Sequence, residues 1–173
     1  VQKIIGSGAK IYGMGKDGGI CGTSIIVQEE LKFRRAHGLD TIPRIAQGPK
    51  TPVKVKIDDT LNFWTIDSDS GYILVRAVCK GIGEHAYIFV ETAEWDAGYV
   101  RQATVDYLVR VFDSTTAADS TRGIYDIDTD VFGEPPLPPD DADGDSLIYI
   151  LLLDIRRDYV AGYFSPYNEG SST

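Results

Sequence analysis

Aspartates are crowded into the stretch PPDDADGDSLIYILLLDI, where four of them occupy six consecutive positions. Asp141, Asp143 and Asp145 alternate, so in an extended turn their carboxylates converge where a hard cation such as Ca²⁺, which takes ~6–8 oxygen ligands, can bind. The stretch departs from an EF-hand loop, because its glycine precedes the third aspartate and the twelfth position from Asp141 is Leu152 rather than glutamate. Two interpretations remain: a calcium site, or a charged turn that keeps a very hydrophobic strand soluble. Spacing alone favours the turn.

Histidines are scarce, which limits the catalysis that the chain can perform alone. Only His37 and His85 are present, and no HExxH motif occurs. A catalytic zinc site needs three protein ligands and an open position, so no self-contained zinc centre is expected. No GxSxG elbow points to a serine nucleophile, and GMGKDGG lacks the spacing of a phosphate loop. His85 follows a glutamate in a predicted turn, where we expect a half-exposed, hydrogen-bonded side chain.

The charge is acidic and unevenly distributed. The formal net charge is -9, with +6 on residues 1–56 and -15 on residues 57–173. An acidic chain without a basic stripe repels phosphate backbones, so nucleic acid is not an expected partner. The basic segment is either solvated or docked on an acidic surface of the same chain or of another copy. No apolar run approaches the ~20 residues that span a bilayer, so no membrane span is expected.

Two cysteines, Cys21 and Cys79, bear on the cellular compartment. Two cysteines cannot form a structural zinc site alone, so they either pair or pack as small hydrophobic residues. The chain begins at Val1 rather than at methionine, as a processed, secreted protein would. For an extracellular protein we expect a disulfide between Cys21 and Cys79 that ties the N-terminal segment to the sheet.

The elements divide the chain into three regions of an α+β fold. Residues 1–50 form a glycine-rich basic leader, with a linker and one helix predicted from Thr23 or Ser24 to Gly38. Residues 51–92 form an antiparallel meander or small barrel, because four segments alternate with period two: VKVKIDD, TLNFWTID, YILVRAVCKG and HAYIFVE. Residues 93–173 contain an amphipathic helix over residues 98–113, then the acidic loop IYDIDTDVFGEPPLPP, the buried strand LIYILLLDI and the edge strand YVAGYFSPYN.

Several short motifs link the chain to a known family. The segments IDDTLNFWTID, GEHAYIFVE, IYDIDTDVFGEPP, DADGDSLIYILLLDI and GYFSPYNE span about residues 57–169. In order and spacing they resemble the front half of secreted bacterial zinc metallopeptidases similar to hyicolysin. The resemblance implies a zincin-like scaffold in which the last two segments precede the helix that carries HExxH. The sequence ends at Thr173 before that motif, so the resemblance implies no catalytic residue here, and Zn²⁺ only together with a C-terminal segment. It also implies that the aspartate loop is structural rather than catalytic.

Three functional hypotheses follow. The first is the non-catalytic N-terminal portion of a secreted metallopeptidase-like protein, whose partner is the missing C-terminal half. The second is an extracellular structural protein, a filament or envelope subunit whose identical copies join by β-strand addition. The third is a calcium-dependent binding module, supported only by candidate exposed aromatic residues and the aspartates. All three predict an extracellular protein, and none of them requires the chain to be an enzyme alone.

Overall fold

The computed structural model of the chain describes residues 20–21, 32, 35, 54–67, 71–135, 146–156 and 160–163. In chain order the elements are β1 (Ile20–Cys21), β2 (Thr60–Asp67), β3 (Gly71–Ile82), β4 (Ala86–Glu91), α1 (Thr92–Asp96), α2 (Gln102–Asp113), α3 (Ile124–Phe132), β5 (Ile148–Leu152) and β6 (Val160–Gly162). The predicted α+β class is confirmed. No helix in the described part of the chain is long and apolar enough to cross a membrane.

Four strands form a mixed sheet in the order β2-β3-β4-β5. The first three are antiparallel neighbours, as the alternating segments predict, and the sheet curls into a half-barrel. β5 then adds parallel to β4, with Ala86 opposite Ile148 and Val90 opposite Leu152. A parallel neighbour requires a long crossover connection, and here α1, α2 and α3 all lie between β4 and β5. The sheet therefore takes strands from both residues 51–92 and residues 93–173.

One face of the sheet is covered by α2. Val105 in the middle of this helix is fully buried, and it packs in one cluster with Ile88 and Val90 of β4. Partly buried side chains of α2 and β5, among them Val109 and Ile150, complete the cluster. Because side chains alternate along a strand, the residues between these positions face the opposite side.

The opposite face of the sheet is rich in aromatic residues. Phe89 is 0 % exposed, and its ring contacts Phe63 at 5.1 Å and Tyr149 at 5.6 Å between centroids. Tyr87 lies on the same face, 5.2 Å from Tyr149. These rings join β2, β4 and β5 across the sheet, so this face is a second part of the hydrophobic core.

A second, two-stranded sheet pairs β1 with β6 in parallel, with Cys21 opposite Gly162. Val160 of β6 is 2 % exposed and packs against Ile155 and Tyr163. The Tyr163 hydroxyl lies 2.8 Å from the Thr65 hydroxyl of β2, which links the small sheet to the large one. The edge strand predicted in YVAGYFSPYN is thus present over three residues, and its partner is the N-terminal segment.

Two predicted elements are wrong. VKVKIDD is not a strand over residues 54–59, because the Asp59 carboxylate accepts the Lys56 backbone N–H at 2.8 Å and closes a turn in which Asp58 has a positive φ of 71°. IYDIDTDVFGEPPLPP is not all loop, because α3 occupies its first nine residues. The Asp126 carboxylate accepts the Gly123 backbone N–H at 3.0 Å, which caps the first turn of this helix.

The remaining elements lie close to their predicted positions. LIYILLLDI is a strand, but it is half-buried rather than buried, because β5 is the last strand of the described sheet. The helix predicted over residues 98–113 begins at Gln102, since α1 and a glycine with positive φ, Gly98, precede it. Of the helix predicted to end at Gly38, only Lys32 and Arg35 are described, and both have helical backbone.

Candidate functional site

The three aspartates predicted to bind calcium, Asp141, Asp143 and Asp145, lie outside the described residues. The calcium site therefore remains a prediction. Among the residues that the structure describes, no group of three or more His, Cys, Asp or Glu side chains is arranged to hold a metal ion.

Calcium should raise the melting temperature if the aspartate stretch binds it, because the bound ion neutralises three repelling carboxylates. A ligand at about a hundred times its dissociation constant adds ~2.7 kcal/mol to stability. Mg²⁺, which sheds water reluctantly, should stabilise less at equal concentration. Asp143→Asn should reduce the rise in melting temperature that calcium causes. Asp140→Asn, which lies outside the three alternating aspartates, should reduce this rise less. A melting temperature indifferent to calcium and to chelator would identify the stretch as a solvated turn.

The predicted disulfide partners lie in different sheets. Cys79 of β3 is 0 % exposed, with its Sγ 3.5 Å from the Gly81 carbonyl oxygen. Burial raises the pKa of this thiol, which makes it an inert core residue in its free form. Cys21 lies in β1, and its side chain is outside the described part of the structure. The Cys21–Cys79 disulfide therefore stays a prediction.

His85 occupies the turn between β3 and β4, as expected, and its side chain is 25 % exposed. Its Nδ1 lies 3.3 Å from the Asp113 carboxylate at the end of α2, and its ring stacks on Tyr125 of α3 at 3.8 Å between centroids. The same carboxylate accepts the backbone N–H groups of Glu84 at 2.7 Å and of His85 at 3.2 Å. Asp113 thus anchors the turn and orients the imidazole.

The neighbouring Tyr125 hydroxyl donates a 2.6 Å hydrogen bond to Glu134. This bond, with burial and the charges of Glu134 and Asp126, raises the pKa of Tyr125 to about 12, so the phenol stays protonated. Gly83 allows the turn between β3 and β4 to lie close to the Asp113 carboxylate. A Cβ at this position would lie 2.2 Å from a carboxylate oxygen of Asp113. None of the described contacts places a hydroxyl or thiol nucleophile on the His85 ring. The arrangement fastens a β-turn to two helices.

A different polar cluster lies at the carboxyl ends of the parallel strands β4 and β5. Glu91 ends β4 and is 5 % exposed, and its Oε1 accepts a 2.8 Å hydrogen bond from Arg156, which follows β5. The other oxygen, Oε2, accepts the Asp154 backbone N–H at 3.3 Å. Both oxygens of this buried carboxylate therefore have donors. We call Glu91, Glu94, Asp154 and Arg156 the carboxylate cluster.

Glu94 is the member of the carboxylate cluster whose charge is poorly matched. It lies in α1, is 9 % exposed, and its Oε2 is buried without a hydrogen-bond partner. Burial raises the pKa of the Glu94 carboxyl, the charges of Asp154 and Glu91 raise it further, and Arg156 opposes them. Three carboxylates share one guanidinium here, so ionisation of Glu94 adds to an existing excess of negative charge.

Replacing Glu94 with glutamine should stabilise the protein near neutral pH and change little in acid. Because folding raises the pKa of this carboxyl, the folded state holds its proton more tightly, and stability falls as the pH rises from the ordinary glutamate pKa through the raised one. Glutamine never ionises and removes that loss. Melting temperatures of Glu94→Gln and of a control in the same helix, exposed Asp96→Asn, measured across this pH range test the expectation. An equal effect of both variants at all pH values would contradict it.

The sequence contains a signal for this cluster in the charged residues at the ends of two strands. Glu91 is the last residue of a strand that is buried at every position, Glu94 lies three residues later, and Asp154 and Arg156 follow the next strand of the sheet. Charged residues at the adjoining carboxyl ends of parallel strands meet at one edge of a sheet, where ligands of open α/β sheets commonly bind. The parallel pairing that brings them together is not readable from the local patterns.

Comparison of the chain with protein-family models and with curated proteins finds no match in either case. The similarity to zinc metallopeptidases therefore rests on the short motifs alone.

Proposed function

We propose that this chain is the non-catalytic N-terminal portion of a secreted metallopeptidase-like protein, the part that supports a catalytic centre completed by a C-terminal segment. Its role is to provide a sheet against which that segment folds. Zn²⁺ belongs to the proposal only through the C-terminal segment, because the described residues offer no group of metal-binding side chains.

The observation that supports this proposal is the position of β5 at the edge of the sheet. β5 contains the LIYILLLDI motif and lies parallel to β4, and α2 packs on one face of the same sheet. Within the described part of the chain, the outer edge of β5 pairs with no strand. The last strand of a sheet can accept a further strand along its outer edge. The motif that resembles the segment before the zinc-binding helix thus lies where the sheet can still grow.

Purified chain of residues 1–173 should show no zinc-dependent protease activity. The sequence contains no HExxH motif to place two histidines on one face of a helix, and the described residues include no group of three metal-binding side chains. Casein hydrolysis with added Zn²⁺, with and without chelator, measures this. Cleavage that chelator abolishes and zinc restores, in a preparation free of other proteins, would refute the non-catalytic assignment.

The exposed surface of β2 and β3 favours a second candidate, an extracellular assembly protein. Trp64 and Leu74 are direct cross-strand neighbours, and they are 47 % and 51 % exposed. Exposed apolar side chains at adjoining positions are typical of surfaces that another protein covers. If identical subunits associate through β2, the native protein should be oligomeric and Trp64→Ser should lower its mass in sedimentation or native mass spectrometry. A monomer at all concentrations removes this candidate and leaves the first.

A further inference from the structure

A groove of about 390 Å³ lies between the end of β3 and α2, open to solvent and away from the carboxylate cluster. We call it the α2 groove. The helix contributes the polar side chains of Gln102, Asp106 and Arg110 to its lining. The strand and the turn before β2 contribute the aliphatic side chains of Ile82 and Ile57. The α2 groove therefore offers polar groups from the helix and apolar surface from the sheet.

The apolar part of the α2 groove is accessible above a closely packed floor. Ile57 and Ile82 are 51 % and 40 % exposed. Beside them the backbone of Gly81 lies against the helix, because a Cβ at this position would lie 2.6 Å from the Val105 side chain and 3.1 Å from that of Val109. The floor is thus fixed, and an apolar group that entered the groove would cover two exposed aliphatic side chains.

The polar part of the α2 groove holds two charges that are not paired with each other. Gln102, Asp106 and Arg110 follow at four-residue spacing, so neighbouring Cβ atoms lie ~5–6 Å apart on one helix face. The Gln102 side-chain amide donates to the Lys80 carbonyl oxygen at 3.1 Å and to Asp106 Oδ1 at 2.8 Å. The Arg110 guanidinium lies 5.3 Å from the centre of the Tyr107 ring. Among the described residues, Asp106 Oδ2 and the guanidinium N–H groups have no hydrogen-bond partner.

The other charged side chains of the α2 groove already have partners. Lys80 pairs with Asp58 at 2.6 Å, and the Asp113 carboxylate accepts two backbone N–H groups. The groups left for a ligand are thus one carboxylate, Asp106, and one guanidinium, Arg110, one helical turn apart. A complementary ligand carries an ammonium and a carboxylate at a similar separation. The termini of an extended dipeptide fit, because an extended chain rises ~3.3 Å per residue.

We propose that the α2 groove binds a zwitterionic dipeptide with an aliphatic side chain. The ammonium group of the dipeptide lies at Asp106, and its carboxylate accepts hydrogen bonds from Arg110. The aliphatic side chain contacts Ile57 and Ile82, and the Gln102 Oε1 accepts the peptide N–H. Because such a ligand has no net charge, the -9 charge of the chain does not repel it. This site does not depend on the proposed scaffold role.

Small peptides test the α2 groove directly. Alanyl-leucine is titrated into ¹⁵N-labelled chain of residues 1–173, with N-acetyl-alanyl-leucine, alanyl-leucine amide and free leucine as controls. The side-chain amide of Gln102 and the backbone N–H of Ser114, which donates to the Arg110 carbonyl oxygen at 3.0 Å, report on the groove. We expect saturable shifts of both signals with alanyl-leucine. Each control should bind at least ten-fold more weakly, because it lacks one terminal charge or the length to reach both residues.

Variants assign each terminus of the peptide to one residue. Arg110→Gln should weaken alanyl-leucine at least ten-fold but leave the affinity for alanyl-leucine amide within two-fold, because the amide has no carboxylate. Asp106→Asn should weaken alanyl-leucine equally and leave the affinity for the N-acetyl peptide within two-fold. Arg76→Gln removes an exposed arginine outside the groove and should have no effect on either peptide. Both groove residues are exposed, so their variants should keep the melting temperature of the unmodified chain.

Several results would overturn the dipeptide site. They are the absence of saturable shifts at the groove, a control that binds as tightly as alanyl-leucine, and unchanged affinity in Arg110→Gln or Asp106→Asn. Acetylation that still weakens binding in Asp106→Asn would also contradict the proposal, because the ammonium would then contact another group. None of these results bears on the casein assay, so the site and the scaffold role fail or hold separately.

Discussion

Replacing Phe89 with alanine is expected to lower the free energy of unfolding by about 4 kcal/mol, within the range measured for buried phenylalanines. The side chain is 0 % exposed, and its ring contacts Phe63 of β2 and Tyr149 of β5. Truncation therefore leaves a cavity where three strands meet. Because domains of this size are stable by only ~5–15 kcal/mol, the loss is a large share of the total.

Phe132→Ala is the matched control for this prediction. Its side chain is 83 % exposed at the end of α3, so the same chemical change should alter stability by no more than about 0.5 kcal/mol. Urea denaturation of both variants measures the difference. If the two substitutions cost the same, the aromatic face of the sheet is not part of the core, and the position of β5 in this account is wrong.

Replacing Arg156 with alanine is expected to cost about 2 kcal/mol. Removing one partner of a buried ion pair costs roughly 3–5 kcal/mol, because a charge is left uncompensated. The Glu91 side chain is 6 % exposed, but the guanidinium is 39 % exposed, so water can replace part of what it donates and the loss should be smaller. The remaining donor to Glu91, the Asp154 backbone N–H, is 3.3 Å away and does not carry a charge.

A double variant shows whether the cost arises from the unpaired carboxylate. Glu91→Gln combined with Arg156→Ala should be more stable than Arg156→Ala alone, because position 91 then carries no buried charge that has lost its partner. Arg76→Ala is the control, since Arg76 is exposed and its described contact is with the neutral Thr60 hydroxyl. A double variant as unstable as the sum of its parts would show that Arg156 acts through packing instead.

Local patterns predicted the strands of the meander closely. TLNFWTID coincides with β2, and the two following strands begin or end within one residue of the predicted segments. Alternation with period two and the intervening turn residues suffice for this, since both are local properties of the chain. The same alternation predicted a strand in VKVKIDD, before Thr60, and this prediction is wrong. There the Asp59 side chain accepts the Lys56 backbone N–H and closes a turn. A hydrogen bond from a side chain to the backbone competes with strand pairing and leaves the hydrophobic alternation unchanged.

Helices were harder to predict where they are short or acidic. α3 was interpreted as a loop because of its aspartates, although Ile124, Ile127 and Val131 recur at helical spacing. The cap from Asp126 and the contacts that Arg122 makes with Asp130 and with the Asp126 carbonyl oxygen stabilise it. α1, with five residues, is too short for periodicity to reveal. Its position matters, because it presents Glu94.

The candidate site depends on long-range pairing that local patterns do not contain. Glu91 and Arg156 are separated by 65 residues, and only the parallel alignment of β4 with β5 brings them within 2.8 Å. The hydrogen-bonded histidine turn was predicted, but its partners on α2 and α3 were not. The charges in the sequence identify the acidic part of the chain. Only the structure shows that the Glu94 carboxylate is the one with a buried oxygen that has no hydrogen-bond partner among the described residues.

The intact mass of the natural gene product tests the proposed scaffold role most directly. We expect a product heavier than the 19.0 kDa of these 173 residues, with an HExxH peptide after Thr173 and with casein hydrolysis that chelator abolishes. A natural product of 19.0 kDa that ends at Thr173, without an associated C-terminal segment, would contradict the account and favour the assembly protein.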